Sequence, residues 1–272
     1  MTFATIMVSV DFDQASKARI NLAADLAVRF KSVLIGVAGR PLLKPDHKSV
    51  SETELPSTGS AESVSNELKQ LGEKFRKIAE DITDRVEWRS SMNFPREVIA
   101  TEARAADLVV IGQGFLPGDI YHTYDPGTII LAAGRPVLVV PQDTDRLEAS
   151  RVLIAWKDKR EARRAVRDAL PLLKGAKEVC IAVAKTAGSE GADAQIADVA
   201  QYLERHHVSV GQLISTVASE DEETVLLDLA KKYGVNLIVA GAYGRTRLSE
   251  WIFGGVTRHL LLNSRVPCLF SN

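Results

Sequence analysis

Cysteine is nearly absent: Cys180 and Cys268 are the only two in 272 residues. Each lies in an apolar, strand-like run without a CxxC partner, so both read as small buried hydrophobes rather than a disulfide framework or a zinc site. An excess of one charge is missing too. Lys and Arg number 34 against 35 Asp and Glu, a net charge of -1, which gives no electrostatic reason to expect DNA, RNA or an anionic membrane as partner. No apolar run approaches the roughly 20 residues that cross a bilayer. The opening Met1-Thr-Phe-Ala-Thr-Ile-Met-Val8 lacks the basic region and cleavage site of a signal peptide and reads as a strand, which points to the cytoplasm. Catalytic signatures are also missing. There is no Gly-x4-Gly-Lys-Ser/Thr phosphate loop and no Gly-x-Ser-x-Gly elbow. No nucleophile, base and orienting acid stand out together, and His206-His207 closes a helix with no ligand set around it.

What is present is a repeat. Hydrophobic residues make up 46% and charged residues 25%, a globular balance. Ile6-Met-Val-Ser-Val10 and Val152-Leu-Ile-Ala-Trp156 are both strand-like, and each precedes an alanine-rich amphipathic helix (15–30, then 161–173). Val33-Leu-Ile-Gly-Val-Ala38 is answered by Val179-Cys-Ile-Ala-Val-Ala184, and Asp107-Leu-Val-Val-Ile-Gly112 by Asn236-Leu-Ile-Val-Ala-Gly241. Each half closes on a strand, 136–140 and 266–270. Continuously apolar strands alternating with helices predict a parallel α/β sheet covered on both faces. The more polar third strands, near 84–90 and 208–216, belong at the edges. The polar stretch Gln142–Ser150 puts the boundary near residue 145, giving domains 1–145 and 146–272. The first half also carries a Pro-, Ser- and Thr-rich stretch from Gly39 to about Ser60, long enough to read as a surface loop.

The strongest functional feature follows the second half's fourth strand: Gly241-Ala-Tyr-Gly244-Arg245-Thr-Arg247-Leu-Ser-Glu-Trp-Ile-Phe-Gly254-Gly255-Val256-Thr257. A glycine-bearing turn from a strand into a helix start offers free N–H groups to an anion. Arg245 and Arg247 add positive charge, and Trp156, beside Ala155 at the end of the half's first strand, is placed to stack on a base or to pack beneath the loop.

With the repeat and this loop in view, the chain resembles a tandem universal stress protein from end to end. The resemblance implies two Rossmann-like domains of the adenine nucleotide alpha hydrolase type, each a five-stranded parallel sheet of order 3-2-1-4-5 flanked by helices. It implies pairing through the fifth strands into an intramolecular pseudo-dimer, open to further homodimerisation, and unknown protein partners in a stress response. Nucleotide-binding members carry Gly-x-x-Gly, nine residues, then Gly and Ser or Thr. Gly241, Gly244 and Gly254 match; Gly255 stands in the Ser/Thr place, with Thr257 two positions on. The resemblance therefore implies ATP or another adenine nucleotide, accompanied by Mg2+, in the second half, with at most slow hydrolysis. ATP-binding members also place an Asp at the end of strand one. Asp11 fits in the first half, whereas Trp156 is read at that place in the second. The first half's own loop is altered, Gly112-Gln-Gly114-Phe-Leu-Pro117, with Asp125-Pro126 read opposite Gly254-Gly255. Three alternatives stay open: a nucleotide-free interaction module, an enzyme of the same topology, and a non-nucleotide ligand in the first half.

Overall fold

The computed structural model describes residues 2–42, 60–113, 123–185, 191–217, 222–243 and 255–272. Its first half runs β1 (Thr5–Ser9), α1 (Ala15–Phe30), β2 (Val33–Gly39), α2 (Ala61–Ala79), β3 (Val86–Ser91), α3 (Pro95–Glu102), β4 (Leu108–Gly112), α4 (Pro126–Ala132) and β5 (Val137–Val140). The second half repeats the order: β6 (Arg151–Trp156), α5 (Arg160–Leu173), β7 (Glu178–Lys185), α6 (Ala192–Arg205), β8 (Val210–Val217), α7 (Glu222–Lys232), β9 (Leu237–Gly241), α8 (Gly255–Asn263) and β10 (Cys268–Ser271). Most of the proline- and serine-rich stretch after Gly39 lies outside the described residues.

All ten strands form one sheet, in the order β3-β2-β1-β4-β5-β10-β9-β6-β7-β8. Each half therefore has the order 3-2-1-4-5, and the polar third strands take the two outer edges. Within each half the strands are parallel; the join is antiparallel, with Cys268 opposite Val139, Leu269 opposite Leu138 and Phe270 opposite Val137. These closing strands are wholly buried. An edge left open there would expose a row of unpaired N–H and C=O groups, and pairing β5 with β10 removes that edge from both halves at once.

Helices cover both faces, as the apolar strands require. One buried cluster, under α1, α2, α5 and α6, contains Ile20, Leu71, Phe75, Val166 and Leu203. The other, under α3, α4, α7 and α8, contains Val98, Ile129, Ala230, Leu260 and Phe270. The first and fourth strands of each half lie side by side, and their following helices leave to opposite faces. The crevice outside their carboxyl ends is the topological switch point where ligands of such sheets bind.

One side-chain contact ties α5 to the joining strand. The Ser271 hydroxyl donates to Asp168 Oδ2 at 2.8 Å. Burial raises the Asp168 carboxyl above its ordinary value, against the opposing pull of Ser271 and nearby arginines. A raised acid costs stability once it ionises: the cost is absent below the unfolded value of 3.8, grows as pH rises through the folded pKa and is complete at neutral pH. Asp168→Asn keeps an acceptor for Ser271 without the charge. Thermal unfolding near neutral pH should therefore rise by roughly a few degrees, with the gain vanishing below the unfolded value; a variant less stable than wild type at neutral pH contradicts this assignment.

Candidate functional site

The strand register places the two switch points in correspondence. Ile6, Met7 and Val8 pair with Leu108, Val109 and Val110, while Val152, Leu153 and Ile154 pair with Leu237, Ile238 and Val239. Ser9 thus corresponds to Ala155, Val10 to Trp156, Asp11 to Lys157 and Gly112 to Gly241. This corrects the sequence reading by one position: Lys157, not Trp156, stands where Asp11 stands. Along the first helices the same count sets Ser16 against Ala162 and Arg19 against Ala165. For the last helices, Pro136 stands directly before β5 as Pro267 stands directly before β10. Counting back, the buried Ile129, Ile130 and Ala133 match the buried Leu260, Leu261 and Ser264. Tyr124 then corresponds to Gly255, Asp125 to Val256 and Pro126 to Thr257, two positions from the sequence reading.

In the first half the switch point is closed by the chain's own groups. Tyr124 is buried, its hydroxyl 2.6 Å from Ser9 Oγ and accepting from Gly112 N at 3.2 Å. Arg19 is only 4% exposed. It donates to Asp11 Oδ2 at 2.7 Å and to the Ser9 carbonyl at 2.9 Å. Burial alone would ease the proton off Arg19, but the Tyr124 oxygen and the Asp11 carboxylate outweigh it and leave the guanidinium above its usual value. Burial raises the Tyr124 phenol, so it stays neutral. Lys74 Nζ donates to the Asp11 and Asp13 carbonyls at 2.9 and 3.2 Å. The first turn of α4 is filled as well. Asp125 is its N-cap, accepting from Gly127 N at 2.9 Å, with Pro126 at the first helical position. A carboxylate at a helix N-terminus satisfies orphan N–H groups and meets the positive end of the dipole. The first half thus carries its own anion at the start of α4.

The second half replaces every member of that set. Ser9, Asp11, Arg19 and Tyr124 become Ala155, Lys157, Ala165 and Gly255, and the capping Asp125 becomes Val256. Gly255 opens α8, and the sequence places Gly254 before it, so neither position supplies a side-chain oxygen to the helix start. Ala155 and Val256 are half-buried at the edge of the α7–α8 cluster, and Thr257 is buried in the first turn. Trp156 lies in the opposite cluster, with Ala162, Ala165 and Val166, and is 8% exposed. Its ring is therefore a packing element. Its Nε1–H has no hydrogen-bond partner, and a buried donor left unpaired costs about 1–3 kcal/mol. Gly244, Arg245, Arg247 and Gly254 lie outside the described residues. Gly114, Tyr121 and His122 of the first half do too. Among the described residues no group of three or more His, Cys, Asp or Glu side chains could hold a metal ion.

Gly241 has a packing reason of its own. A Cβ there would lie 2.6 Å from the Glu161 carbonyl carbon and 2.9 Å from Ala162 Cα, and nearer still to the Ala162 nitrogen. The glycine lets the start of α5 sit directly on the end of β9. The α5 start already holds an acid: Glu161 is buried and paired with Arg160 Nε at 2.5 Å. Burial works against the charged form, but the bonds to Arg160 and the backbone prevail and hold its carboxyl below the usual range. Gly241→Ala should therefore destabilise the fold with or without ligand, by about 1–3 kcal/mol. Chemical denaturation checks this, and a variant of wild-type stability contradicts it.

Residues 148–271 match the sequence profile of the Universal stress protein family. No curated protein matches the chain. Among solved structures it is similar to a universal stress protein from Archaeoglobus fulgidus DSM 4304, with a TM-score of 0.74 at 15% identity over 98% of this chain and 96% of that one. It is also similar to a functionally unknown protein from Pseudomonas aeruginosa PAO1, with a TM-score of 0.61 at 18% identity over 99% and 92% of the two chains. At these identities the likeness is one of fold, and it runs through both halves. The C-terminal half matches the universal stress protein family, and the N-terminal half repeats the same fold.

Proposed function

We propose that the C-terminal half binds an adenine nucleotide, ATP with its Mg2+ foremost, with the phosphates on the first turn of α8. The observation that carries this reading is the contrast between equivalent helix starts. Just before α4 the residue pair is Tyr124-Asp125, a ring and a carboxylate that close the switch point from within; its counted equivalent, Gly255-Val256, forms the first two residues of α8 and supplies neither. Backbone N–H groups at a helix start bind phosphate through charge-assisted hydrogen bonds. Ala155 and Gly255 are small where Ser9 and Tyr124 stand in the first half. In sequence, Gly244, Arg245, Arg247 and Gly254 join Gly241 to Gly255, and Thr257 follows. The adenine base rests on the family match of this half. Mg2+ is carried in this reading by the phosphates, as it commonly is at nucleotide sites. In this reading occupancy rather than turnover regulates a stress response.

A second reading, an interaction module without nucleotide, has one observation in its favour. Leu131 and Leu262 hold equivalent places on α4 and α8 and are 49% and 62% exposed. Acid extraction of the purified protein, with analysis of the small molecules released, separates the two readings.

Transplanting the built-in anion tests the nucleotide reading. Val256→Asp puts a carboxylate in the first turn of α8, at the position that the residue count sets against Asp125, where the helix dipole favours it. Calorimetric titration with MgATP should show affinity falling by at least about tenfold, with the unfolding temperature unchanged or raised. Wild-type affinity in a folded Val256→Asp protein would remove α8 as the phosphate site.

A further inference from the structure

We infer that the anion site of the C-terminal half is completed by the other half of the chain, with Gln113 as the residue that positions α8. The inference rests on the nucleotide reading above and adds a residue from outside the C-terminal half. Gln113 stands just beyond the end of β4, its backbone N–H bonded to the Val140 carbonyl at 3.0 Å. Its side chain crosses to the other half, where Nε2 donates to the Ser264 carbonyl at 3.1 Å and lies 3.5 Å from the Leu260 carbonyl. Both carbonyls belong to the C-terminal end of α8, the negative end of its dipole, where a donor is favourable. A nine-residue helix is a short rod of about 13 Å. Holding one end therefore sets where the N–H groups at the other end point. Sites that bind through fixed donors depend on such support from neighbouring residues.

The reverse grip is built differently. The counterpart of Gln113 is Ala242, which has no amide to offer α4. The next residue, Tyr243, holds a left-handed φ of 52°. Its backbone carbonyl and that of Ala242 accept from Asn272 Nδ2 at 2.7 and 2.8 Å. Its hydroxyl lies so close to Gly127, in the first turn of α4, that any side chain at that glycine would collide with it. Among the described residues only α8 receives a side-chain amide from the opposite half. The closed site has a purpose in this arrangement: Tyr124 accepts from Gly112 N, and so braces the strand end from which Gln113 reaches out. Gln113 is a positioning residue in this account and touches no ligand.

The experiment is a MgATP titration of Gln113→Ala, Gln113→Glu and Gln113→Lys, with Leu68→Ala as a destabilised control on the far face of the first half. Gln113→Ala should weaken binding by about three- to tenfold, and Gln113→Glu by more, since a carboxylate there opposes the carbonyls. Gln113→Lys, which still donates, should recover most of the affinity. Leu68→Ala should lower the unfolding temperature and leave affinity near wild type. Wild-type affinity in both the Ala and Glu variants overturns the inference, as does a loss matched by Leu68→Ala at equal stability. Should the wild type bind no ATP, the nucleotide reading fails on its own. Positioning is then read from amide hydrogen exchange of residues 255–263, where faster exchange in Gln113→Glu supports it and unchanged exchange overturns it.

Discussion

A helix start presents N–H groups that no residue of the helix can satisfy, and something must accept from them. The two halves of this protein meet that requirement in opposite ways. At α4 the chain supplies Asp125 and seals the space behind it with Tyr124, Ser9, Arg19 and Asp11. At α8 the equivalent residues are Val256, Gly255, Ala155, Ala165 and Lys157, none of which supplies a carboxylate to the helix start. The replacement is concerted. Removing Arg19 alone would leave Asp11 half-buried without its partner, and removing Tyr124 alone would leave the Gly112 N–H and Ser9 hydroxyl unserved. Partly satisfied networks are costlier than none, which is why the halves differ at all of these places together.

The continuous sheet gives that difference its setting. Because β5 and β10 pair antiparallel, the two switch points stand on either side of one seam, and side chains cross it in both directions. Gln113 reaches α8, and Tyr243 reaches the first turn of α4. A separated pair of domains would lose both contacts. The N-terminal half thereby has a structural role that does not depend on holding a ligand of its own.

Much of this architecture was legible in the sequence. Buried parallel strands must be apolar along their whole length, so the repeated words around Ile6, Val33 and Leu108 declared both the strands and the duplication. The edge positions of β3 and β8 followed from their polarity. The end of the first strand did not follow. The repeated words set Val10 against Trp156, as the pairing does, yet the sequence reading puts Trp156 at the place of Asp11, one residue further on. The closing network was also hidden, since Tyr124 acts on Ser9 from 115 positions away. Two local cues were available. Asp125-Pro126 has the N-cap and first-turn proline of a helix start. Arg19 falls three residues after Ser16 and four before Ala23, on the apolar side of α1 where an arginine needs a partner. The role of Gly241 changed in emphasis: it makes room for α5, whatever else approaches it.

The number of nucleotides bound per chain tests the central claim most directly. Equilibrium dialysis of the intact protein against MgATP, followed by site location in crystals grown with the same ligand, should give one equivalent, with its phosphates on the first turn of α8 and none beside α4. Two equivalents, one at each switch point, or a single one beneath Tyr124, would contradict the account.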